Sequence, residues 1–488
     1  MRNRNTVTSS RRELLAAAVA AAGLSVAARI SAGATATQRR PNLVLILTDD
    51  QRADLLGCAG NPILKTPSID ALATDGVRFT QSFATTAICM SSRASILTGL
   101  YSRVHGSNSA ATPLSREKFA TSYPMLLRKA GYRTGFVGKW GIDGCPLPTG
   151  DYDFFTGYTG QGSYFEPGSS KHLTVRQGEE AVRFLQGCTS RQPFCLAVSF
   201  KAPHVQDEGR NQPGIYPKYP YDRALDDLYK TDQIPPPATI DTAPMPPFLE
   251  HSLNRTREAP DFSPQHYQET MRDLYRLLAG VDQAVGKITA EIKRLGFDDN
   301  TVILYSSDHG SFYGEHGFGG KWLMHEESIR TPMILRDPRL SADCRGTQRH
   351  EMVLNIDIPA TLLDLAGIDK PAGMQGKSFL PLASAEAIPW RTEWFYENHY
   401  CNSKADPIAA SEGIRTRDWK YIRYVDEDPV YEQLYDLNAD PREETNLAVD
   451  VRHQHILADL RQRWNRWKTC LDRFALQYTP DQPWHDPV

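Results

Sequence analysis

The chain has 488 residues, of which 40% are hydrophobic and 23% charged, with a formal net charge of −3. This is the make-up of a soluble globular protein with room for one large domain and a smaller one, not of a disordered or fibrous chain. The charge balance, with no Lys/Arg block after the N-terminus, excludes a nucleic-acid binder of the basic-patch kind. Eight cysteines, at 58, 89, 145, 188, 195, 344, 401 and 470, contain no C-x-x-C pair. Neither a zinc ribbon nor a disulfide scaffold has that spacing. Cys188 and Cys195 alone stand close enough in sequence to suggest a bridge in an oxidising compartment.

Arg2, Arg4 and the pair Arg11-Arg12 precede a weakly hydrophobic, alanine-rich run over 14–28, and Ala34-Thr35-Ala36 supplies an A-x-A cleavage site. Ser10-Arg11-Arg12-Glu13-Leu14-Leu15 resembles a bacterial twin-arginine signal. That implies the Tat translocon as a partner and export of a folded protein to the periplasm or beyond. An ordinary secretory signal is the alternative, and the low hydrophobicity of the run counts against it. No other segment approaches the roughly 18 apolar residues of a membrane span.

Residues 43–48 form a continuous apolar run, expected as a parallel strand buried on both faces. It ends at Asp49-Asp50. Open α/β sheets place ligands at the carboxyl ends of their strands, and two adjacent carboxylates there repel each other unless a cation neutralises them. A solvated turn is the plainer explanation. A short helix is expected over 66–73 and a strand over 77–80.

The stretch Cys89-Met90-Ser91-Ser92-Arg93-Ala94-Ser95-Ile96-Leu97-Thr98-Gly99 then places a cysteine before a helix. Ser91 or Ser92 is suited to cap that helix, and Gly99 to stop it. Cys89 would sit at its positive end, where backbone N–H groups attract an oxyanion. A merely buried cysteine fits these eleven residues equally well.

A helix over 123–130 and a strand over 132–137 lead to Gly138-Lys139-Trp140-Gly141, and a buried strand over 194–200 leads to Lys201-Ala202-Pro203-His204. Residues 207–262, rich in proline, tyrosine and aspartate, are expected to be a long surface excursion over the strand ends. Leu274, Leu277, Leu278, Val281, Val285, Ile288, Ile292 and Leu295 recur at helical spacing before Gly296, marking a long amphipathic core helix. The strand over 301–305 ends at Ser306-Ser307-Asp308-His309-Gly310. Parallel strands point their carboxyl ends one way, so Asp49, Asp50, Asp308 and His309 can meet. A glycine-rich loop over 313–320, the segment Lys321–Glu327, a strand near 333–335 and a helix over 358–366 follow. Beyond Pro389 the alternating aromatic stretches 393–396, 419–424 and 432–437 predict a small antiparallel sheet, then a helix over 451–471. The expected fold is α/β: a large mixed, mostly parallel sheet sandwiched by helices, with a smaller C-terminal antiparallel sheet plus helix.

In this order the motifs resemble a type I, formylglycine-dependent sulfatase of the alkaline phosphatase superfamily, with carbohydrate exo-sulfatases as the nearest echo. The resemblance rests on Leu47-Thr48-Asp49-Asp50, Cys89…Arg93…Leu97-Thr98-Gly99, Gly138-Lys139-Trp140, Pro203-His204, Ser307-Asp308-His309-Gly310 and Leu434-Tyr435-Asp436-Leu437…Asp440-Pro441…Thr445-Asn446-Leu447. The resemblance runs from about Pro41 to Leu447, and with the twin-arginine segment and the change of texture near Pro389 the expected division is a signal peptide over 1–36, a catalytic domain over 37–388 and a C-terminal subdomain over 389–488. The resemblance implies hydrolysis of a sulfate ester on a sugar or other small molecule, and a formylglycine made from Cys89 by a maturase. A geminal diol can attack sulfur with one oxygen and expel sulfate from the other. One Ca²⁺, or Mg²⁺, is implied on Asp49, Asp50, Asp308 and His309, with the modified Cys89 completing the shell. Arg93 would fix that cluster, Lys139 and Lys321 would bind sulfate oxygens, and His204 would protonate the leaving oxygen.

Two positions depart from the family pattern. Ser91 stands where the modification signal carries proline or alanine, which points to a radical maturase or a permissive one. Gly141 stands where many relatives carry a histidine that deprotonates the diol; His105 is a candidate replacement, a structural histidine the plainer reading. Lys321–Glu327 resembles the corresponding loop of N-acetylglucosamine-6-sulfatases, and Asn398, His399, Arg415 and Arg417 are candidate sugar contacts. Phosphonate monoester or phosphodiester hydrolysis, a two-metal phosphohydrolase, and a non-catalytic glycan binder with unmodified Cys89 are the alternatives.

Overall fold

A computed structural model of the chain describes residues 39–109, 112–142, 144, 146–207, 218–240, 245–400 and 407–487. The expected signal peptide, Cys145 and Cys401 lie outside the described residues. Residues Pro41–Val488 form one compact unit. Its strands are β1 (Asn42–Thr48), β2 (Val77–Phe83), β3 (Arg133–Lys139), β4 (Phe154–Tyr158), β5 (Phe194–Ser199), β6 (Thr301–Ser307), β7 (Phe312–Tyr313), β8 (Gly319–Gly320), β9 (Met333–Arg336), β10 (Thr347–Leu354), β11 (Glu393–Asn398), β12 (Ser411–Thr416), β13 (Trp419–Tyr424) and β14 (Tyr431–Asp436). Among the described residues the main sheet has eight strands in the order β10-β2-β9-β6-β1-β5-β3-β4. β9 runs antiparallel to both neighbours, and every other pair is parallel.

The central strands are apolar throughout because both faces are covered. Val44 and Ile46 face a layer built on the long helix Tyr267–Arg294, while Leu43, Leu45 and Leu47 face the helices Cys89–Thr98, Tyr123–Lys129 and Asp357–Leu365. The expected long helix is present and starts at Tyr267, a turn or more earlier than its leucine stripe suggests. A second helix, Leu173–Gln186, packs alongside it and went unpredicted. Gly178 at its centre weakens the helical signal. It also lets the two helices approach closely: a Cβ there would lie 3.2 Å from the Cβ of Ala284.

Two main-sheet strands also went unpredicted. β4 is an edge strand with every residue half-buried, and β10 is polar over its first half, so neither shows a buried-strand run. The excursion over 207–262 is not simply a surface loop. Where described, it packs Tyr219, Leu225, Tyr229, Ile234 and Phe262 into the same core as the long helix. Cys188 and Cys195 are both free thiols, so no bridge joins them; Cys195 is buried inside β5.

The predicted C-terminal sheet is the four-stranded antiparallel β11-β12-β13-β14, backed by the helix Gln454–Gln477. Trp394, Ile414, Leu434, Trp467 and Leu471 fill the space between sheet and helix. Phe83, Tyr101, Phe312 and Phe318 from the main body belong to the same apolar cluster. β12 escaped prediction because Gly413 interrupts it and its charged Glu412 and Arg415 are buried rather than solvated.

Candidate active site

Four adjacent strands of the main sheet, β6-β1-β5-β3, deliver the polar residues that the motifs singled out. Asp308 and His309 follow β6, Asp49 and Asp50 follow β1, His204 lies just beyond β5, and Lys139 ends β3. All six are buried, Asp49, Asp308 and His309 with no exposed surface. Asp50 adopts a left-handed backbone with φ 69°, and Tyr313 Oη donates to its carbonyl at 2.8 Å. Left-handed non-glycine residues of this kind concentrate where function demands a fixed side-chain direction.

Cys89 is the first residue of the helix Cys89–Thr98, with Ile88 in the N-cap position and no side-chain cap. The expected serine cap is therefore not used. Ser91 Oγ instead donates to the Ser107 carbonyl at 3.0 Å, and Ser92 Oγ to the Asp308 carbonyl at 2.5 Å. Gly99 closes the helix as expected, with φ 71°. All ten helix residues are buried: Met90, Ala94, Ile96 and Leu97 pack into the apolar layer against β1, and Ser91, Ser92 and Arg93 are tied down by polar bonds. Cys89 Sγ lies 3.3 Å from Asp49 Oδ1, 3.2 Å from Lys321 Nζ and 3.4 Å from His309 Nε2.

Three carboxylates so close together need counter-charge. Arg93 holds Asp308 through Nε at 3.0 Å and Nη2 at 2.9 Å, and reaches Asp49 at 3.3 Å. Lys139 pairs with Asp49 and donates to Gln161 Oε1 at 2.5 Å; Lys321 pairs with Asp50 Oδ1 at 2.6 Å. Burial alone would raise the pKa of Asp49. Lys139 first, then His204, Arg93 and Lys321, more than offset this and hold it well below the usual carboxylate range. The same pairings outweigh burial at Lys139 and Lys321 and raise both, with Asp49 and Asp50 respectively as the main partners.

One buried group has the composition and spacing that could hold a metal ion. One ligand atom each from Asp49, Asp50, Cys89 and His309 lies within 4.8 Å of the others. Asp308 borders this group: its Oδ1 accepts from the Asp50 and His309 N–H groups at 3.2 and 2.9 Å and lies 3.6 Å from His309 Nε2. Carboxylates dominate the donor set, which suits a hard divalent cation.

His204 Nε2 faces Asp50 Oδ2 at 3.7 Å, while Nδ1 lies 2.8 Å from the Val205 carbonyl. Burial, reinforced mainly by Lys321, keeps its pKa well below the ordinary histidine value. His105 touches none of the site residues. Its Nε2 meets Ser95 Oγ at 3.1 Å and its Nδ1 accepts from the Ser107 N–H at 3.0 Å, which makes it a packing histidine behind the Cys89 helix. Gly141 has φ 66°, and a Cβ there would stand 2.5 Å from Arg93 Cδ. The space beside Gly141 is therefore filled by Arg93. Of the proposed sugar contacts, Arg415 is turned inward onto Glu326 at 3.0 Å, and Asn398 onto the Trp322 carbonyl at 3.2 Å.

Sequence reasoning passed over Gln161 and Lys201. Gln161 is half-buried on a loop after β4, with no motif to signal it, yet it meets Lys139. Lys201 is fully buried, with Nζ 3.0 Å from the Val205 carbonyl and 5.2 Å from the centre of the Tyr164 ring. Its place at a strand end, three residues before His204, was the available signal.

The sulfatase family model matches residues 41–368, and a model described as N-sulphoglucosamine sulphohydrolase, C-terminal, matches residues 314–469. An N-acetylglucosamine-6-O-sulfatase of Bacteroides thetaiotaomicron is 29% identical, over 91% of this chain and 88% of its own. An arylsulfatase of Clostridium perfringens is 26% identical, over 86% of this chain and 93% of its own. Among solved structures, a protein in complex with its substrate D-glucosamine-2-N,6-O-disulfate superimposes with a TM-score of 0.76 at 26% identity, over 91% of this chain and 100% of that one. The chain thus belongs to the sulfatase family of the alkaline phosphatase superfamily and is a sulfuric ester hydrolase.

Two consequences follow for Gly141 and His105. Gly141→Ala places a Cβ at positive φ and into Arg93. The expected outcome is a loss of about 1–3 kcal/mol in urea unfolding together with a fall in kcat, and Gly141→His does no better. His105 is held neutral, because burial pushes its pKa down to about 3. The unfolded chain therefore binds a proton below about pH 6.5 that the folded chain does not, so stability is full above that pH and is lost as pH falls. Unfolding free energies measured at pH 7 and pH 5 are expected to differ by up to about 2 kcal/mol from this group alone, and His105→Gln to flatten the difference.

Proposed function

We propose that this chain hydrolyses a sulfate ester on a carbohydrate, through a formylglycine made from Cys89 and a single divalent metal ion. The observation that carries the reading is the surroundings of Cys89 Sγ, within 3.4 Å of a carboxylate, an ammonium and an imidazole. The glucosamine-sulfate specificity of the relatives supports a sugar sulfate as substrate. Asp49, Asp50, Asp308 and His309 would hold Ca²⁺ or Mg²⁺, which supplies Lewis acidity at the sulfuryl oxygens. The aldehyde hydrate of formylglycine supplies two oxygens on one carbon, so that sulfate can leave where a simple hydroxyl would retain it.

The remaining work falls to the chain's own side chains. Arg93, fixed on Asp308 and Asp49, orients both carboxylates. Lys139, paired with Asp49, and Lys321, paired with Asp50 and 3.2 Å from Cys89 Sγ, would take the non-bridging sulfate oxygens, opposing charge as it builds. His204 Nε2, 3.7 Å from Asp50 Oδ2, would donate the proton to the departing sugar oxygen. Nδ1, committed to the Val205 carbonyl, fixes the ring direction.

Maturation would precede folding. Cys89, Ser91 and Arg93 are all buried in the finished helix, so a maturase must meet this segment in the open chain. That order agrees with a twin-arginine signal over 1–36, which carries folded proteins to the periplasm. We assign residues 389–488 to a C-terminal subdomain.

Mass spectrometry of the Cys89 peptide from protein made in its native host is expected to show the aldehyde. An intact thiol throughout the population would leave only a glycan binder. Matched aryl sulfate and aryl phosphate esters should give the higher kcat/KM for sulfate; the reverse order would favour the phosphonate or phosphodiester reading. Cys89→Ala is expected to lose at least about 10³-fold in kcat, and Lys139→Ala or Lys321→Ala about 10²–10³-fold. Chelation should abolish turnover and Ca²⁺ restore it, with one ion bound per chain.

A further inference from the structure

The C-terminal sheet reaches into the two segments that present Cys89 and Lys321. Tyr396, in β11, has no exposed surface. Its hydroxyl donates to the Trp322 carbonyl at 2.6 Å and accepts from the Ala87 N–H at 3.4 Å. Ala87 lies two residues before Cys89, and Trp322 directly follows Lys321. The two segments also touch directly, Trp322 N–H to Ala87 carbonyl at 3.1 Å. Asn398 Nδ2 adds a second donor to the Trp322 carbonyl at 3.2 Å, and the Glu397 N–H binds the Thr85 carbonyl at 3.2 Å.

Trp322 is held in an unusual backbone state, with φ 82°, which a bulky residue adopts only where its surroundings impose it. Its ring is clamped among Ile88, Leu253 and Ile408. Local preference alone would let Trp322 relax and carry Lys321 with it. The bonds from Tyr396 and Asn398 oppose that relaxation.

We infer that Tyr396 is a positioning residue for catalysis. Its hydroxyl, donor to one segment and acceptor from the other, sets the approach of Lys321 Nζ to Cys89 Sγ at 3.2 Å and to Asp50 Oδ1 at 2.6 Å. Phenylalanine would fill the same space and leave the Ala87 N–H without this acceptor. A buried unpaired donor relaxes by moving backbone, and displacement of about 1 Å at a reacting group is enough to cost some 10²-fold in rate. The inference rests on the proposed role of Lys321 in binding the sulfate.

The test is a double-mutant cycle on matured protein, with kcat/KM normalised to formylglycine content. Tyr396→Phe is expected to lower kcat/KM about 10–100-fold, and to have almost no further effect once Lys321→Ala is present, because coupled residues are not additive. Tyr424→Phe, a buried tyrosine of β13 bonded to Gln433, serves as the control without effect. Additive losses from Tyr396→Phe and Lys321→Ala would overturn the inference. So would a lowered Tm with wild-type kcat/KM per folded, matured molecule. If Tyr396→Phe does not fold, Asn398→Ala reads the same carbonyl with the same expected non-additivity. Absence of turnover in the wild type would count against the proposed function alone. The positioning role is then read from inorganic sulfate, which Tyr396→Phe should bind about tenfold more weakly, as expected for a displaced charged partner; equal affinity would overturn it.

Discussion

Three carboxylates converge where β1 and β6 end side by side, and the rest of the site is the solution to that crowding. Asp49 and Asp308 have no exposed surface and Asp50 little. Burying even one uncompensated carboxylate costs several kcal/mol, and here Asp49 and Asp50 are adjacent in the chain. Arg93, Lys139 and Lys321 answer them from three different parts of the chain. The sheet order, the buried polar helix that starts at Cys89 and the loop that brings Lys321 are all needed to deliver those three cations. A divalent ion taken by the same carboxylates would free the lysines' charge for an anionic ester, so that one arrangement would serve both stability and binding.

The parts of this arrangement that were legible in the sequence share a physical cause. β1, β5 and β6 are apolar on both faces, so their runs stand out, and each run ends in polar residues at the carboxyl edge. That pattern brought Asp49, Asp50, Asp308 and His309 together as candidates, while His204 was singled out through the family resemblance. The illegible parts are those in which polar residues are buried for structural reasons. Ser91 and Ser92 look like helix caps but are anchors inside the helix, bonded to Ser107 and Asp308. Arg415 and Asn398 look like surface sugar contacts but point inward. β12 looks like a loop, because the buried charged residues Glu412 and Arg415 read in sequence like exposed ones. His105 looks available for chemistry, and its bonds to Ser95 and Ser107 show that it is packing.

The buried charges of β12 and β13 tie the second sheet to the segment that follows Lys321. Lys420 has no exposed surface and lies 3.0 Å from Glu326 Oε1 and 2.5 Å from Glu443 Oε1. Arg415 Nε meets the same Glu326 oxygen at 3.0 Å. These cations outweigh the burial of Glu326 and hold its pKa well below the usual range, Arg415 more strongly than Lys420. Glu443 Oε2 in turn accepts from the Glu326 N–H at 2.8 Å. The loop bearing Lys321 is therefore held at two points, by neutral hydrogen bonds at Trp322 and by a buried ion network at Glu326. Removing one partner from such a network is far costlier than never having built it, roughly 3–5 kcal/mol, because a buried charge is left behind. Lys321 needs that security. Its own loop is rich in glycine, which favours many conformations over one, and its ammonium has to sit against Cys89 and Asp50 rather than among them. The C-terminal sheet supplies from long range the rigidity that the local sequence of this loop does not encode.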